Sequence, residues 1–190
     1  MSRAVRSALP FLLLAAAILF FANERRGNSG PSPTPPAQAA PEVSSSVGRP
    51  APPFNATTLA GSTIRFPSDF SGKIVLLDFW ATWCPPCRAE IKHLREAYER
   101  FHGRGLEIVG VTLDELYKIP AAQVRRFLDE QKMTWPQVYS EADQIARRYG
   151  VEGIPAPFLV DGTSGRILAA GDELRGSLLS KTIEKHLRDR

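Results

Sequence analysis

The sequence has little cysteine, histidine or methionine, and each scarcity excludes a class of protein. Its 190 residues include only 2 Cys, 3 His and 2 Met. Two cysteines cannot replace a hydrophobic core with a disulfide framework, and they cannot supply all the ligands of a thiolate metal cluster. The hydrophobic fraction is 43% and the charged fraction 23%. These values are typical of a folded protein and exclude disorder along the whole chain.

The chain also has little excess charge outside its N-terminal segment. Of the net charge of +4, residues 1–26 contribute four arginines and one glutamate. Residues 54–190 contain 19 basic and 18 acidic side chains, so this part is almost neutral. A nucleic-acid-binding domain concentrates positive charge on its folded surface. The charge distribution therefore gives no reason to expect a nucleic-acid partner.

The N-terminal segment has the pattern of an export signal. Arg3 and Arg6 precede an uncharged apolar stretch, Leu9–Ala22. A basic region followed by a short apolar segment is typical of secretory signals. The stretch ends with two phenylalanines before its last alanine, which is a poor cleavage site, so we favour an uncleaved signal anchor over residues 1–26 to a cleaved signal. The positive-inside rule then places the rest of the chain outside the cytoplasmic membrane.

Proline and small residues dominate the segment that follows. Residues 27–53 contain eight of the sixteen prolines and no aromatic residue. Such a segment buries too little apolar surface to offset the entropy lost on ordering. We therefore predict a Pro-rich flexible linker over residues 27–53 and a folded domain over residues 54–190.

The folded domain alternates segments typical of strands with segments typical of helices. The predicted strands are Ala56–Ala60, Thr63–Phe66, Lys73–Trp80, Leu106–Leu113, Phe158–Asp161 and Arg166–Ala170. The predicted helices are a segment from Pro85 to near Gly103, then Ala121–Lys132, Glu141–Tyr149 and Ser177–Leu187. The first two strands flank Gly61-Ser62 and form a candidate hairpin. This alternation predicts an α/β fold with a central mixed sheet and helices on both faces.

Cys84 and Cys87 stand at a predicted strand-to-helix junction. The unpaired N–H groups and the dipole of a helix N-terminus stabilise a thiolate, and Pro85 suits the first helical turn. We therefore expect Cys84 to be an exposed nucleophile of low pKa and Cys87 to be the shielded resolving thiol. A static disulfide is the alternative, but a bond across two residues constrains little chain entropy. A zinc site needs two further ligands, and the three histidines lack ligand spacing.

The context of this motif resembles a known family. DFWATWCPPC, residues Asp78–Cys87, is similar to the active-site segment of the thioredoxin superfamily. The lead-in from Arg49 and the segment YGVEGIPAPFLVDGTSGRI, Tyr149–Ile167, resemble its membrane-tethered TlpA/ResA-type thiol-disulfide oxidoreductases. The resemblance runs from about Gly48 to the C-terminus. It implies a thioredoxin-like fold with an N-terminal β-hairpin extension, no cofactor and no metal.

The resemblance also implies a substrate-binding surface around the motif. Pro155 matches the cis-proline that packs beside the two cysteines and leaves the preceding backbone free to pair with a substrate chain. Relatives commonly carry Thr or Ser two positions later, where this chain has Pro157, so we expect one edge of the client groove to differ. Trp83 is expected to be a lid beside Cys84. The expected substrate-binding residues are Trp83, Pro85, Pro86, Ile154 and Pro155.

Two acidic residues complete the expected catalytic set. Asp78 interrupts an otherwise apolar strand, and burial there raises the pKa of a carboxyl group, which suits a proton shuttle. It matches the buried acid that accepts the resolving thiol's proton in thioredoxins. Thioredoxins place a lysine near that acid on the next strand, but LEIVGVTL, Leu106–Leu113, contains none. Glu90 resembles an acidic residue that tunes the thiols of ResA-type proteins.

Together these features predict a monomeric, single-pass protein of a bacterial cytoplasmic membrane whose catalytic domain faces the periplasm. The resemblance implies that it reduces disulfides of cysteine-containing clients, for example in cytochrome c maturation, with a membrane thiol reductase as electron donor. A disulfide-forming oxidant is the nearest alternative, since direction depends on reduction potential. A copper-binding thiol chaperone and a peroxidase stay open, although peroxidases of this kind use Thr-x-x-Cys and Thr82 lies only two residues before Cys84.

Overall fold

The computed structural model describes residues 46–189. The strands in this part are β1 Phe54–Thr57, β2 Thr63–Phe66, β3 Ile74–Trp80, β4 Leu106–Thr112, β5 Gln137–Val138, β6 Ala156–Asp161 and β7 Ile167–Ala170. The α-helices are α1 Pro85–Phe101, α2 Ala121–Gln131, α3 Ala142–Arg148 and α4 Gly176–Arg188. The predicted signal anchor, residues 1–26, and most of the predicted linker lie outside the described residues. Within residues 46–189, no helix combines the length and apolarity needed to cross a bilayer.

Five strands form the central sheet in the order β5-β4-β3-β6-β7. β3 pairs in parallel with β4 and antiparallel with β6, so the sheet is mixed. Every residue of β3 and β4 is buried, because both strands lie in the middle of the sheet and are covered on both faces. The expected thioredoxin-like fold is confirmed.

Two hydrophobic cores lie on opposite faces of the sheet. Side chains alternate along β3, so Ile74, Leu76 and Trp80 face one core and Val75, Leu77 and Phe79 face the other. The first core contains buried residues of α1, α2 and α4, and the second contains those of α3 and of the β1–β2 pair. Helices cover both faces, as predicted. Asp78 occupies the position between Leu76 and Trp80 in the alternation, on the side of α1.

The β1–β2 pair is antiparallel and places Phe54 opposite Phe66. The two rings stack with their centroids 5.0 Å apart. β1 begins two residues before the predicted Ala56 and ends at Thr57, which is earlier than expected. The reason is a turn, since the N–H of Thr58 donates to the carbonyl of Ser62 at 2.8 Å and the two hydroxyls are also bonded.

Residues 46–53, predicted as the end of the linker, are attached to the domain. The N–H of Ala51 donates to the carbonyl of Gly165 at 2.8 Å, and the N–H of Gly48 donates to Ile167 at the same distance. The N–H of Ile167 in turn donates to the carbonyl of Arg49 at 3.0 Å. The prediction that the folded domain begins at residue 54 is therefore wrong, because residues near the prolines retain N–H groups and carbonyls that pair with Gly165 and with Ile167 of β7.

Candidate active site

Cys84 and Cys87 form a disulfide at the N-terminus of α1. β3 ends at Trp80, and Cys84 is the N-cap residue of the helix, with φ −85° and ψ 105°. Its Sγ accepts a hydrogen bond from the N–H of Cys87 at 3.2 Å. The predicted placement at a strand-to-helix junction is confirmed. An N-cap sulfur receives the unpaired N–H groups and the dipole that stabilise a thiolate in the reduced form.

Exposure does not distinguish the two cysteines, contrary to expectation. Cys84 is 3% exposed and Cys87 is 2% exposed, so the prediction of an exposed Cys84 is wrong for the oxidised protein. The Sγ of Cys84 lies 3.7 Å from the carbonyl oxygen of Ile154, in a loop that packs against it. A disulfide sulfur carries no proton, so this contact becomes a hydrogen bond only when the thiol is reduced. The two cysteines differ in position, and only Cys84 has this neighbour.

The loop beside Cys84 contains a cis peptide bond between Ile154 and Pro155, as expected. Among the backbone hydrogen bonds of the described residues, none involves the N–H or carbonyl of Gly153 or the N–H of Ile154. These groups lie directly before β6 and are available to an extended chain. The backbone next to the sulfur atoms can therefore accept a strand from another polypeptide.

The other expected substrate-binding residues surround the buried disulfide. Pro85 and Pro86 are exposed in the first turn of α1, and Ile154 and Pro155 are half-buried. Trp83 is 41% exposed, and its ring packs against Tyr117 with centroids 4.3 Å apart. The structure thus places the five residues around Cys84. The aromatic partner of Trp83 comes from a 3-10 turn, Leu113–Tyr117. The first residue of this turn, Leu113, was predicted to be the last residue of a strand.

Asp78 is a buried carboxyl group on the sheet face that carries the disulfide. It is 5% exposed, and burial raises its pKa to about 7. The negative charge of Glu90 also raises the pKa, and the positive charge of Arg175 lowers it. Within residues 46–189 no hydrogen bond to the Asp78 carboxyl group opposes the effect of burial. This group can take up a proton and release it near neutral pH.

Comparison with known proteins agrees with this geometry. The profile of the AhpC/TSA family matches residues 47–168. Thiol-disulfide oxidoreductase ResA of Geobacillus kaustophilus is 36% identical over 141 residues, which cover 74% of this chain and 76% of that protein. ResA of Bacillus thuringiensis subsp. konkukian is 32% identical over 142 residues, which cover 75% and 77%.

The chain belongs to the AhpC/TSA family. It is a ResA-like thiol-disulfide oxidoreductase with a thioredoxin-like fold. The thioredoxin domain of a thiol-disulfide oxidoreductase from Bacteroides vulgatus superposes with a TM-score of 0.66 at 33% identity, covering 74% of this chain and 97% of that one. A thiol:disulfide interchange protein from Bacteroides sp. gives a TM-score of 0.65 at 33% identity, covering 75% and 90%.

In this ResA-like oxidoreductase, Glu90 joins α1 to the start of α4. Its Oε2 accepts a hydrogen bond from the N–H of Gly176 at 2.7 Å, and its Oε1 lies 3.7 Å from Nε of Arg175. The resemblance predicts that Glu90 tunes the thiols. Its electrostatic effect in the structure falls on Asp78. Any influence on the cysteines through this pair remains a prediction.

The position facing Asp78 on the next strand is Gly110, which pairs with it in register. The side chain of Gln137, from β5, fills the space above this glycine, since a Cβ atom there would lie 2.0 Å from Oε1 of Gln137. That Oε1 accepts a hydrogen bond from Nε1 of Trp80 at 3.0 Å. A carboxamide from β5 thus lies over Gly110, next to Asp78 on the neighbouring strand. Sequence reasoning missed Gln137 because the two-residue strand β5 has no detectable period.

Pro157 lies beside the buried acid in the sheet, and its expected effect on the edge of the client groove stays a prediction. It is buried within β6, directly opposite Asp78 on β3. Residues opposite each other on paired strands share a face of the sheet. Proline has neither an N–H nor a hydroxyl group, so Pro157 offers no hydrogen-bond donor to the buried acid opposite it.

Asp114 and Thr82 form a second site that the sequence reading missed. The carboxylate of Asp114 accepts hydrogen bonds from the N–H of Thr82 at 3.1 Å and from its hydroxyl at 2.6 Å. An acidic residue one position after a buried strand was the available signal, and only the fold shows that it reaches the loop before Cys84. Because the Thr82 hydroxyl donates to Asp114, it is already engaged away from the cysteine.

A metal site does not emerge from the part of the chain that the structure covers. Between residues 46 and 189, no group of three or more His, Cys, Asp or Glu side chains is arranged to hold a metal ion. The described groups of the site are its two sulfur atoms, the buried carboxyl group of Asp78 and the open backbone of the loop before β6.

Proposed function

We propose that this ResA-like oxidoreductase reduces disulfides in cysteine-containing client proteins outside the cytoplasmic membrane of a bacterium. The observation that carries the proposal is the arrangement of three groups near the carboxyl end of the central strand β3. Cys84 caps α1, its sulfur faces the carbonyl of Ile154, and the buried Asp78 lies on the same face of the sheet as Cys87. Cys84 attacks the client disulfide, the backbone at Ile154 binds the client chain, and Asp78 accepts the proton of Cys87.

In the first step, the thiolate of Cys84 attacks one sulfur of the client disulfide. A bond forms between Cys84 and that sulfur, the client S–S bond breaks, and the other client sulfur leaves as a thiolate. In the second step, Cys87 loses its proton to Asp78 and attacks the Sγ of Cys84. The bond between Cys84 and the client breaks, and the client is released with both of its cysteines reduced. The client has gained two electrons, and the protein has lost two in forming the Cys84–Cys87 disulfide.

The acid–base step is matched to the environment of Asp78. A carboxyl group with its ordinary pKa of 3.8 is a weak base at neutral pH, whereas a pKa of about 7 lets the carboxylate accept the proton of a resolving thiol. The charges of Asp78 and Glu90 also disfavour additional negative charge nearby. Because stabilised thiolates make a dithiol protein oxidising, carboxylates that oppose them favour the reducing direction.

The proposal places the catalytic domain on the outer side of the membrane as a monomer. The location is supported by the basic residues before the apolar stretch Leu9–Ala22 and by the proline-rich segment that follows. A membrane thiol reductase would return electrons to the Cys84–Cys87 disulfide after each turnover. Apocytochrome c, whose cysteines must be reduced before haem attachment, is a suitable client.

The reduction potential tests the direction of electron flow. We expect a value below about −260 mV, at or below the glutathione poise of the cytosol. A value near −120 mV, approximately that of strongly oxidising thiol proteins, would instead identify an enzyme that forms disulfides. Fusing alkaline phosphatase to the C-terminus tests the location, because that enzyme is active only outside the cytoplasm. An inactive fusion would contradict the proposed topology.

Peroxide reduction is a second candidate activity, because the chain matches the AhpC/TSA family and its lead-in resembles peroxiredoxins. The engaged hydroxyl of Thr82 argues against it, because this hydroxyl donates to Asp114. The measurement is peroxide consumption by the wild type and by the two cysteine variants. Consumption that survives Cys87→Ala and is lost in Cys84→Ala would establish a peroxidase.

A further inference from the structure

Large apolar side chains are exposed close to the disulfide. Within residues 46–189, Trp83 is 41% exposed, Leu116 50% and Tyr117 62%. Leu116 and Tyr117 belong to the 3-10 turn that follows β4, and Tyr117 packs on Trp83. Contiguous exposed apolar surface of this kind commonly marks an interaction site. We refer to Trp83, Leu116 and Tyr117 as the aromatic wall.

A groove of about 430 Å³ lies against the aromatic wall. Residues 151–154 also line this groove, and Leu113 and Ala146 contribute further apolar surface. A groove of this size accommodates one or two side chains of a polypeptide.

The groove is continuous with the reacting sulfur. Ile154 lines the groove, and its carbonyl oxygen lies 3.7 Å from the Sγ of Cys84. Consecutive residues of an extended chain are about 3.3 Å apart. A client segment that brings its cysteine to Cys84 and pairs with the open backbone at Ile154 therefore places a neighbouring side chain in the groove.

The aromatic wall is held in position before any client binds. The carboxylate of Asp114 is bonded to Thr82, and the carbonyl of Asp114 accepts the N–H of Ile119 at 3.2 Å. The turn that carries Leu116 and Tyr117 is therefore anchored at both ends. A preformed surface loses little conformational entropy on binding, so apolar contacts contribute more of their free energy to affinity.

Three charged residues line the rim of the groove. Asp143 and Arg147 form an ion pair, and both line the groove. Glu152 also lines it and has no ion-pair partner among the described residues. The rim therefore has a net negative charge, which opposes acidic side chains in the groove.

We propose that the aromatic wall selects clients that carry a large apolar side chain, aliphatic or aromatic, immediately beside the reacting cysteine. This inference rests on the function proposed above and names the class of client segment. It assigns Leu116 and Tyr117 as specificity-determining residues. The chemical steps are carried out by the cysteines and by Asp78, as described above.

The test uses symmetric peptide disulfides, in which attack on either sulfur gives the same products. Two peptides differ only beside the cysteine, with Leu in one and Ser in the other. The full reduced chain is mixed with each dimer, and the second-order rate constant for peptide release is measured. We expect the Leu peptide to react about tenfold faster, since an apolar group in a pocket is worth at least that factor. In Leu116→Ser combined with Tyr117→Ser, the ratio should fall to about two.

Leu178→Ser is the matched control, because Leu178 is 48% exposed and Leu116 is 50% exposed. It lies in α4, outside the groove, and should keep the tenfold ratio. Equal rates for the Leu and Ser peptides with the wild type would overturn the inference. An unchanged ratio of the two rate constants in the double variant would also overturn it. The same holds if neither peptide reacts while a small disulfide, bis(2-hydroxyethyl) disulfide, is reduced. Failure to reduce that small disulfide would instead refute the proposed function, and the inference with it.

Discussion

The carboxylate of Asp114 holds Thr82 by both its backbone N–H and its hydroxyl, at 3.1 and 2.6 Å. Asp114 is fully buried and also accepts a hydrogen bond from the hydroxyl of Thr112. It lies just beyond β4, and Thr82 lies just beyond the parallel neighbour β3. One side chain therefore fastens the carboxyl ends of two strands to the loop that delivers Cys84.

We predict that Asp114→Ala lowers the free energy of unfolding of the oxidised protein by about 3 kcal/mol. The change removes the acceptor of three donors, one on the buried Thr112 and two on the half-buried Thr82. Each unsatisfied buried group costs about 1–3 kcal/mol before the site relaxes. Urea denaturation followed by circular dichroism measures the loss. Asp172→Ala is the control, because its side chain is 95% exposed and its ion pair with Arg175 adds little. Equal effects of the two substitutions would refute the anchoring role.

Replacing Cys87 should trap a client on Cys84. Without the resolving thiol, the mixed disulfide formed in the first step has no intramolecular route to breakdown. We expect Cys87→Ala to accumulate the peptide adduct, visible as a mass increase under non-reducing conditions, and Cys84→Ala to accumulate none. Both cysteines are almost equally buried, so the prediction depends on the N-cap position of Cys84. The reverse pattern would exchange their roles.

Most of the fold could be predicted because its strands and helices have strong periods. β3 and β4 are nearly continuous apolar runs, and the bounds of each differ from the prediction by one residue at one end. The placement of Cys84 and the cis-proline followed from motif and resemblance. The prediction failed where pairing depends on backbone groups, as in residues 46–53 and β5, because composition does not reveal which N–H meets which carbonyl.

The surroundings of Asp78 illustrate the same limit within the site. Its burial follows from the apolar run around it, and so does the direction of its pKa shift. Its neighbours come from elsewhere in the chain. Gly110 and Pro157 flank it through strand register, and Gln137 covers Gly110 from a third strand. Only the three-dimensional register shows that Pro157 faces the acid.

Glu90→Gln and Arg175→Met should move the pKa of Asp78 in opposite directions. Removing the negative charge of Glu90 lowers the pKa, and removing the positive charge of Arg175 raises it. The amide oxygen of Gln can still accept the N–H of Gly176, so the helix contact is kept. Carbon-13 NMR titration of the labelled Asp78 carboxyl group measures both shifts. Shifts of the same sign in the two variants would show that structural change dominates.

Pro157→Thr should lower the pKa of Asp78, because a hydroxyl opposite the carboxylate can donate a hydrogen bond to its charged form. Val has nearly the shape of Thr without the hydroxyl, so Pro157→Val separates the hydrogen bond from the loss of the proline ring. We expect a lower pKa in the Thr variant than in the Val variant, measured by the same NMR titration. Identical values would show that residue 157 does not reach the acid.

The ionisation of Asp78 should also be visible in stability. Its pKa is raised from 3.8 to about 7 in the folded state, so the folded protein binds this proton more tightly than the unfolded chain. The resulting contribution is fully present below about pH 4 and is lost as the pH rises through about 7, with a total of about 4 kcal/mol. Asp78→Asn removes this dependence. Relative to the wild type, the variant should gain a few kcal/mol in unfolding free energy between pH 4 and pH 8.

The same variant should lose catalysis while it gains stability. Asn cannot accept the proton of Cys87, so release of the client from the mixed disulfide should slow by about 100-fold, the lower range for a positioned acid–base group. Denaturation of the oxidised form at pH 4 and pH 8 measures the first effect, and stopped-flow release of a peptide measures the second. A stability difference independent of pH would show that Asp78 stays ionised in the folded protein. Unchanged release at pH 7 would remove Asp78 from the mechanism.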